Sequence, residues 1–542
     1  MRYFKQHRFL IALWLCATFT LLSCGSENSK LKDEQTAQAL DPDRALVAFA
    51  RSLQATTDVS ESLVDVLEEK NLEGACAEHW ARLDPLTKKL PSEALTEADA
   101  IKAMLRCGKW IFFSADFESK MAIPENVLKA VTKIFGEEAG PAFSRAGLIE
   151  NPNDPGMPVG FPRLKGSPWG ALGAFTGAPR GIACATCHFG KMPREDGQSN
   201  RRYAVGMPNQ DLDFGKINAM LMYSAWRADS KSKDLSIWPA DLQAFYQQLD
   251  KKLGKTLAPE RTLFDVAKIV AVIHASDKFY KFTGASRPIL SESSTFLSGT
   301  PNQYYASSPL LPIKNKSYWM SAPQMWDMES YRGDWEAGRA RPLSTVSPVK
   351  NAEDFTALAL IFQTGLDRWA EPTYVDPLLL YMRSLKTPEP LQKVDGHLAE
   401  IGKNIFEERC VSCHNAKSGA TLQAYSAAEM GTPEVLVDIL KDFEPTKDLS
   451  SEIYRQTVKK IGYDFLHSGG IYSRPLKGIY ARRHLMINGS VADLDEAFCI
   501  NGPRGVASTL PPGLSDAVHL DLCDDYSLEE KEALSSFLKS WY

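Results

Sequence analysis

The chain has 542 residues, 44% hydrophobic and 24% charged, with 62 Lys and Arg against 67 Asp and Glu for a formal net charge of −5. The apolar fraction is ample for packed cores, and the length suits three or four domains of ordinary size. A mildly acidic chain with no basic cluster beyond its first residues argues against a nucleic-acid partner.

Arg2, Lys5 and Arg8 precede an apolar run from Phe9 to Leu22, which ends in Leu21-Leu22-Ser23-Cys24. A membrane span needs about 20 apolar residues, so the run has instead the order of an export signal. Residues 1–23 read as a lipoprotein signal peptide, with Cys24 as the lipidated first residue after cleavage; an ordinary signal peptide that contains Cys24 is the alternative. Removing residues 1–23 takes three cations and no acids, which moves the net charge from −5 to −8. Gly25 follows the cysteine, and similarity to Gram-negative lipoproteins then favours the outer membrane. The expected location is the periplasmic side of a bacterial membrane, held by the lipid anchor only, with residues 24–42 as a polar tether.

Residues 43–140 predict an all-helical region. Thr96-x-x-Asp99 reads as a capping box for a helix through Cys107, and Pro124 opens a second helix with Val127, Leu128, Val131, Ile134 and Phe135 at helical spacing. From 141 to 183 the chain is rich in Gly and Pro, as in Asn151-Pro152-Asn153-Asp154-Pro155-Gly156, which predicts irregular chain. It leads into Cys184-Ala185-Thr186-Cys187-His188. Further on, His274 ends an apolar stretch, and an aromatic cluster runs from Tyr318-Trp319-Met320 through Trp326 and Tyr331 to Trp335. Core packing accounts for such aromatics, and so does a position between two redox centres.

Asp376-Pro377 predicts a helix start ahead of Leu378, Leu379, Leu380, Tyr381, Met382 and Leu385, with Pro388 ending the segment. A domain boundary falls near residue 389. His397, Leu398, Ile401 and Ile405 then mark one side of a helix running into Cys410-Val411-Ser412-Cys413-His414. Ser527-x-x-Glu530 is a capping box for a last helix whose face carries Leu534, Phe537, Leu538 and Trp541.

The pentapeptide Cys-x-x-Cys-His thus occurs twice. In an exported protein it is the attachment site of a c-type haem: each thiol adds across a haem vinyl group and the adjacent imidazole ligates iron. A structural zinc site or a thiol redox pair would also use Cys-x-x-Cys, but a zinc ribbon keeps its two pairs close in sequence. Two covalent c-type haems are therefore expected, on Cys184, Cys187 and His188 and on Cys410, Cys413 and His414. Of the ten cysteines, Cys76, Cys107, Cys499 and Cys523 remain after these four and Cys16 and Cys24. In an oxidising compartment the simplest pairing is Cys76 with Cys107 and Cys499 with Cys523, although sequence does not fix connectivity. For the second iron the distal candidates are His519, ahead of the last helix, with His484 and Met486 as rivals. The first haem has no comparable candidate, His274, Met207, Met320, Met325 and Met328 being ambiguous, and an open iron at His188 is expected.

Three stretches carry a family resemblance: Val205-Gly206-Met207-Pro208; the segment from Ser384-Leu385-Lys386-Thr387-Pro388 through Gly402 and Phe406 to Cys410; and Gly478-Ile479-Tyr480-Ala481 leading to Asn488-Gly489-Ser490-Val491. Residues 150 to 542 resemble the bacterial di-haem c-type oxidoreductases, which include di-haem peroxidases and rubber oxygenases, and the first stretch is closer to the latter branch. The resemblance implies a mainly α fold with two cytochrome c-type haem domains, at 141–388 and 389–542, long irregular connections and the additional N-terminal helical region. It implies a redox enzyme in which one haem reacts with peroxide or dioxygen and the other relays electrons. A periplasmic redox protein or a small oxidant would be its partner. By the same resemblance dioxygen chemistry maps onto the haem of His188, and His519 onto the distal ligand of the second. The family's His before Asn-Gly-Ser-Val is Ile487 here, so no role of that His carries over. A non-catalytic di-haem electron carrier is the alternative.

Overall fold

The computed structural model describes residues 42–53, 59–60, 62–67, 72–114, 123–125, 128, 147–164, 178–192, 202–209, 325–326, 328, 356–357, 360, 371–390, 393–414, 425–430, 476–482, 485, 491–504 and 521–541. These residues are moderately helical with little sheet. In chain order they form α1 (Pro42–Leu53), β1 (Val59–Ser60), α2 (Leu63–Leu67), α3 (Leu72–Ala81), a 3₁₀ turn at Ser92–Thr96, α4 (Ala98–Ser114), β2 (Ile123–Pro124), β3 (Pro179–Arg180), α5 (Ala185–His188), β4 (Phe189–Lys191) and β5 (Tyr203–Val205). Then follow α6 (Pro372–Ser384), α7 (Gly396–Arg409), α8 (Ala427–Met430), a 3₁₀ turn at Ile479–Ala481, α9 (Leu494–Ala497), α10 (Asp521–Asp524) and α11 (Leu528–Ser540). Among the described residues no helix is long and apolar enough to cross a membrane.

The helices pack as two pairs built on one plan. In the first, α4 crosses α6 at Gly108, where an added Cβ would lie 2.0 Å from the Pro377 carbonyl oxygen. In the second, α7 crosses α11 at Gly402, where a Cβ would lie 1.9 Å from the Ala533 carbonyl oxygen. Each glycine is followed four residues later by a phenylalanine that meets an aromatic of the partner helix. Phe112 approaches Tyr381 at 5.7 Å between centroids, and Phe406 approaches Phe537 at 5.3 Å. Such pairs contribute about 0.5–1.5 kcal/mol beyond the area they bury. The leading helix of the first pair lies within the N-terminal stretch, and α4 shares a core with Cys184, Phe189, Val205, Leu378 and Leu385. The second pair forms its own core of Phe406, Leu485, Val491, Leu494, Leu522, Leu534 and Leu538.

Several sequence expectations shift in detail. Thr96 does not cap α4; it closes the 3₁₀ turn, its Oγ1 donating to the Glu93 carbonyl at 2.8 Å. Pro124 ends a short strand, Ile123–Pro124, paired with Pro179–Arg180; Glu125 and Leu128 beyond it are helical as the sequence suggests, and Val127, Val131, Ile134 and Phe135 lie outside the described residues. The Asp376-Pro377 start falls inside α6, which begins at Pro372 behind Glu371. Pro377 has no N–H for the Thr373 carbonyl one turn back, and the Trp80 indole N–H donates to that carbonyl instead, at 3.3 Å. On α7 the buried line is Ala399, Gly402 and Phe406, while His397 is exposed. A close crossing needs small residues at its centre, so bulky Leu398, Ile401 and Ile405 flank it, half-buried.

α3 is tied to α4 by the disulfide between Cys76 and Cys107, which are 31 residues apart. One turn on, His79 is 1% exposed and neither ring nitrogen has a hydrogen-bond partner. Burial, aided by the nearby Arg82 cation, lowers it from 6.5 to about 4. The unfolded chain therefore takes the proton first as pH falls. This contribution to stability is complete above pH 6.5, is lost between 6.5 and about 4, and is constant below. Replacing His79 by Leu should flatten the pH dependence of the denaturation midpoint across that window, where the native chain should lose about 3 kcal/mol.

The crossings give a second test. Gly402→Ala should destabilise the chain by about 3 kcal/mol in denaturant titration, because the clash is with backbone and one helix must move. Gly396→Ala, where nothing lies within 4 Å of the new Cβ, should leave the midpoint unchanged or slightly raised.

Candidate haem-attachment turns

Both pentapeptides fold into the same turn. The N–H groups of Cys187 and His188 donate to the Cys184 carbonyl at 3.1 and 2.9 Å, and those of Cys413 and His414 donate to the Cys410 carbonyl at 3.1 and 2.8 Å. One helical turn sets residues three and four apart on a common face, which is the spacing that a group attached through both cysteines and the histidine needs. None of the four cysteines is in a disulfide, whereas Cys76–Cys107 and Cys499–Cys523 are both joined. Burial first, then Asp521 and Cys413, push the Cys410 thiol up to about 11 against the opposing effect of Arg409. A thiol disulfide exchanger needs the opposite shift, toward thiolate. Among the described residues, no three His, Cys, Asp or Glu side chains converge on a point that could hold a metal ion by themselves. The residues fit a group that brings its own equatorial ligands and takes from the chain two thioether bonds and one axial nitrogen, as a c-type haem does.

The surroundings of the two turns differ. Cys184, Ala185, Thr186 and Cys187 are all buried. The turn's carbonyls, which a short helix leaves without intrahelical partners, are taken by residues 206–209. Gly206 N–H donates to His188 at 2.8 Å, Asn209 N–H to Cys187 at 2.8 Å, and the Asn209 side-chain amide to Thr186 at 3.4 Å. From the other side Thr186 Oγ1 donates to the Gly160 carbonyl at 3.0 Å. β4 and β5 pair antiparallel, Phe189 opposite Val205, to bring 206–209 back over the turn, and β1 adds an outer strand. Phe113 of α4 meets Phe189 edge-on at 5.4 Å, so the N-terminal helices roof this turn. The second turn lies at the surface: Val411 is 38% exposed, Ser412 is exposed, and Cys410 and Cys413 are half-buried. His414 points inward, 8% exposed, its ring 6.2 Å from Phe406.

Trp326 links the two units. Its indole N–H donates to the Val205 carbonyl at 2.7 Å, and it is 1% exposed. Gly206 and Gly478 pack against the pyrrole and benzo ends of the same ring, where added Cβ atoms would lie 3.0 and 2.9 Å away, and both have φ near +80°, at +79° and +77°. Only glycine meets both demands without strain. Gly478 N–H in turn donates to the Trp541 carbonyl, and the Trp541 ring meets Phe406 at 5.2 Å. Contacts thus run without a break from His188 through Gly206, Trp326, Gly478, Trp541 and Phe406 to His414. Beside this path Arg482 is 4% exposed, and burial lowers its guanidinium to about 10.

His519, His484, Met486, His274, Met320 and Cys24 lie outside the described residues, as do Tyr318, Trp319, Tyr331 and Trp335. Met207, Met325 and Met328 are buried in the core around the first turn. Sequence reasoning missed the ion cluster upstream of Cys184. Arg180 is 1% exposed and donates to Glu125 through Nε and Nη2 at 3.1 and 2.9 Å, and to Asp154 and the Phe161 carbonyl through Nη1. It fixes the 147–164 loop against β3. No periodicity or spacing links those three charges in sequence.

Removing one member of a buried ion cluster costs about 3–5 kcal/mol because its partner is left charged in the interior. Arg180→Met should show a loss of that size in chemical denaturation, most of it recovered in the double variant with Glu125→Gln. Compared with protein-family models, curated proteins and solved structures, the chain matches none of them.

Proposed function

We propose that this chain is a periplasmic di-haem c-type oxidoreductase of the di-haem peroxidase and rubber-oxygenase type. In this reading Cys184 and Cys187 hold one haem with His188 as its proximal ligand, Cys410 and Cys413 hold the other with His414, and Cys24 carries the lipid that keeps the protein at a membrane surface. The observation that carries it is the repetition: two turns with matching backbone hydrogen bonds, whose paired thiols are outside any disulfide, each with its own glycine-crossed helix pair. That pairing of a leading and a closing helix is the packing plan expected of two cytochrome c-type domains.

When bound, such groups supply one-electron exchange with iron and, where an axial position stays open, reaction with peroxide or dioxygen. The chain's own residues divide the work. The turn, with Cys184 to Cys187 buried, roofed by α4 and clamped by Gly206 and Asn209, fixes the backbone at the half-buried His188, which suits the reacting position. The exposed turn at Cys410 suits exchange of electrons with a partner. Trp326, packed between Gly206 and Gly478, lies on the contact path between the two histidines and gives a relay position. A plain electron carrier with both irons closed by protein ligands is the second reading, favoured by the exposure of the second turn alone.

Co-expression with a c-type haem maturation system and export should yield protein whose mass exceeds that of the chain by two haems and whose pyridine haemochrome spectrum is of the c type. The Cys184→Ala/Cys187→Ala and Cys410→Ala/Cys413→Ala variants should each retain one. A chain exported and matured without covalent haem would refute the reading. Low-temperature EPR, with and without added imidazole, separates the two forms of it. A high-spin signal converted to low spin marks an open iron and the enzyme, and two unaffected low-spin signals mark the carrier.

A further inference from the structure

α3 is held to the first helix pair by two unlike devices one turn apart. At Cys76 the hold is covalent, through the disulfide to Cys107 of α4, and both residues are fully buried. At His79 and Trp80 it is not. His79, three residues on and so on the same face of the helix, is buried with neither ring nitrogen hydrogen-bonded. Trp80 stands edge-on to Trp110 of α4 at 6.3 Å and to Tyr374 of α6 at 5.7 Å. It also gives its indole N–H to the Thr373 carbonyl that Pro377 cannot serve. The last turn of α3 therefore joins α4 to α6 and completes the hydrogen bonding of α6. A further tie to α6, the surface ion pair of Lys88 with Glu371 at 2.6 Å, is of a kind worth about 0–1 kcal/mol.

Buried polar side chains are nearly always hydrogen-bonded, and an imidazole with no partner is tolerated in an interior only while it is neutral. The elements packed against His79 do not supply a counter-ion. Glu78 and Glu97 are both engaged by Arg82, at 3.0 and 3.4 Å, and Arg106 and Lys109 of α4 are themselves cations. Tyr374 and Asp376 stand on α6. Among these, Arg82 is the group that acts on the ring, and its sign opposes protonation.

We propose that the last turn of α3 is an acid-released clasp: a proton taken up by His79 frees Trp80 from α4 and α6, while the Cys76–Cys107 bond keeps α3 attached, so that release is local and reversible. One proton from solvent binds an imidazole nitrogen, and the only other change is the loss of the Trp80 hydrogen bond and ring contacts. Trp110, which the clasp covers, lies three residues before Phe113, whose ring meets Phe189 beside His188. Acid thus loosens the roof of the first turn and leaves the second helix pair, which contains neither α3 nor α4, untouched. The clasp works by the same steps whether or not a haem is attached.

Hydrogen exchange of the full exported chain, read by mass spectrometry and corrected for the intrinsic effect of pH, tests this directly. The released ring titrates at 6.5 and the clasped one at about 4, so opening of residues 79–83 should rise about 50-fold from pH 7 to pH 4.5 and fall back on return. The amides of α7 should not change. In His79→Leu the rise should disappear, and in Trp80→Phe opening should be greater at both pH values with the same ratio between them. If the leucine variant does not fold, the profile of the unaltered chain decides. Opening that climbs from pH 6.5 and levels near 4 belongs to His79, whereas a climb that starts only below about pH 5 belongs to the carboxylates of the surface pairs and overturns the proposal. Equal opening at both pH values, a rise that survives His79→Leu, or a rise shared equally by α7 would overturn it too.

Discussion

Two backbone-to-backbone contacts organise the chain, Gly108 against Pro377 and Gly402 against Ala533. A helix crossing with almost no side chain between the backbones fixes distance and angle far more tightly than one cushioned by leucines, since there is no rotamer to adjust. Everything that presents the paired cysteines hangs from these crossings. The aromatic pairs Phe112–Tyr381 and Phe406–Phe537 sit one turn beyond them. α7 leads straight into Cys410, and the first crossing shares its core with the Cys184 turn.

The two units share a plan and differ in cover. Around the first turn the 147–164 loop, held by Arg180 to Glu125 and Asp154, and the 206–209 segment close in from two sides, while α4 lies above. Around the second, residues 411 and 412 face solvent. At the first turn both thiols are buried and the imidazole is half-buried, whereas at the second both thiols are half-buried and the imidazole is buried, so the two turns meet water from different sides. That difference alone sets two chemically alike positions apart.

Much of the second unit was legible in the sequence. The Ser527–Glu530 capping box that opens α11 is a local signal, satisfied within four residues, and Asp395 caps α7 in the same local way although sequence reasoning missed it as a cap. The last helix buries Leu534 and Leu538 as its spacing suggests. The first unit was legible in its pieces, the pentapeptide, the helix through Cys107, the Cys76–Cys107 pairing and the apolar run of α6, but not in how they pack. Its leading helix is far upstream, beyond a long Gly- and Pro-rich stretch, and nothing in periodicity says that α4 and α6 belong together. Gly108 reads in sequence as a weak point in a helix, and its meaning appears only when Pro377 arrives opposite. The Arg180 cluster and the seating of Trp326 between Gly206 and Gly478 are likewise products of tertiary contact between residues distant in sequence.

The Cys76–Cys107 disulfide closes a loop of only 31 residues, whereas Gly108 must wait for a helix that begins at Pro372. Loop-closure entropy makes the short loop the cheaper to form. In a chain emerging N-terminus first, the covalent link braces α3 on α4 while the face of α4 around Gly108 is still bare. The bond therefore matters most before the fold is complete, as a jig that holds one half of a joint until the other half exists.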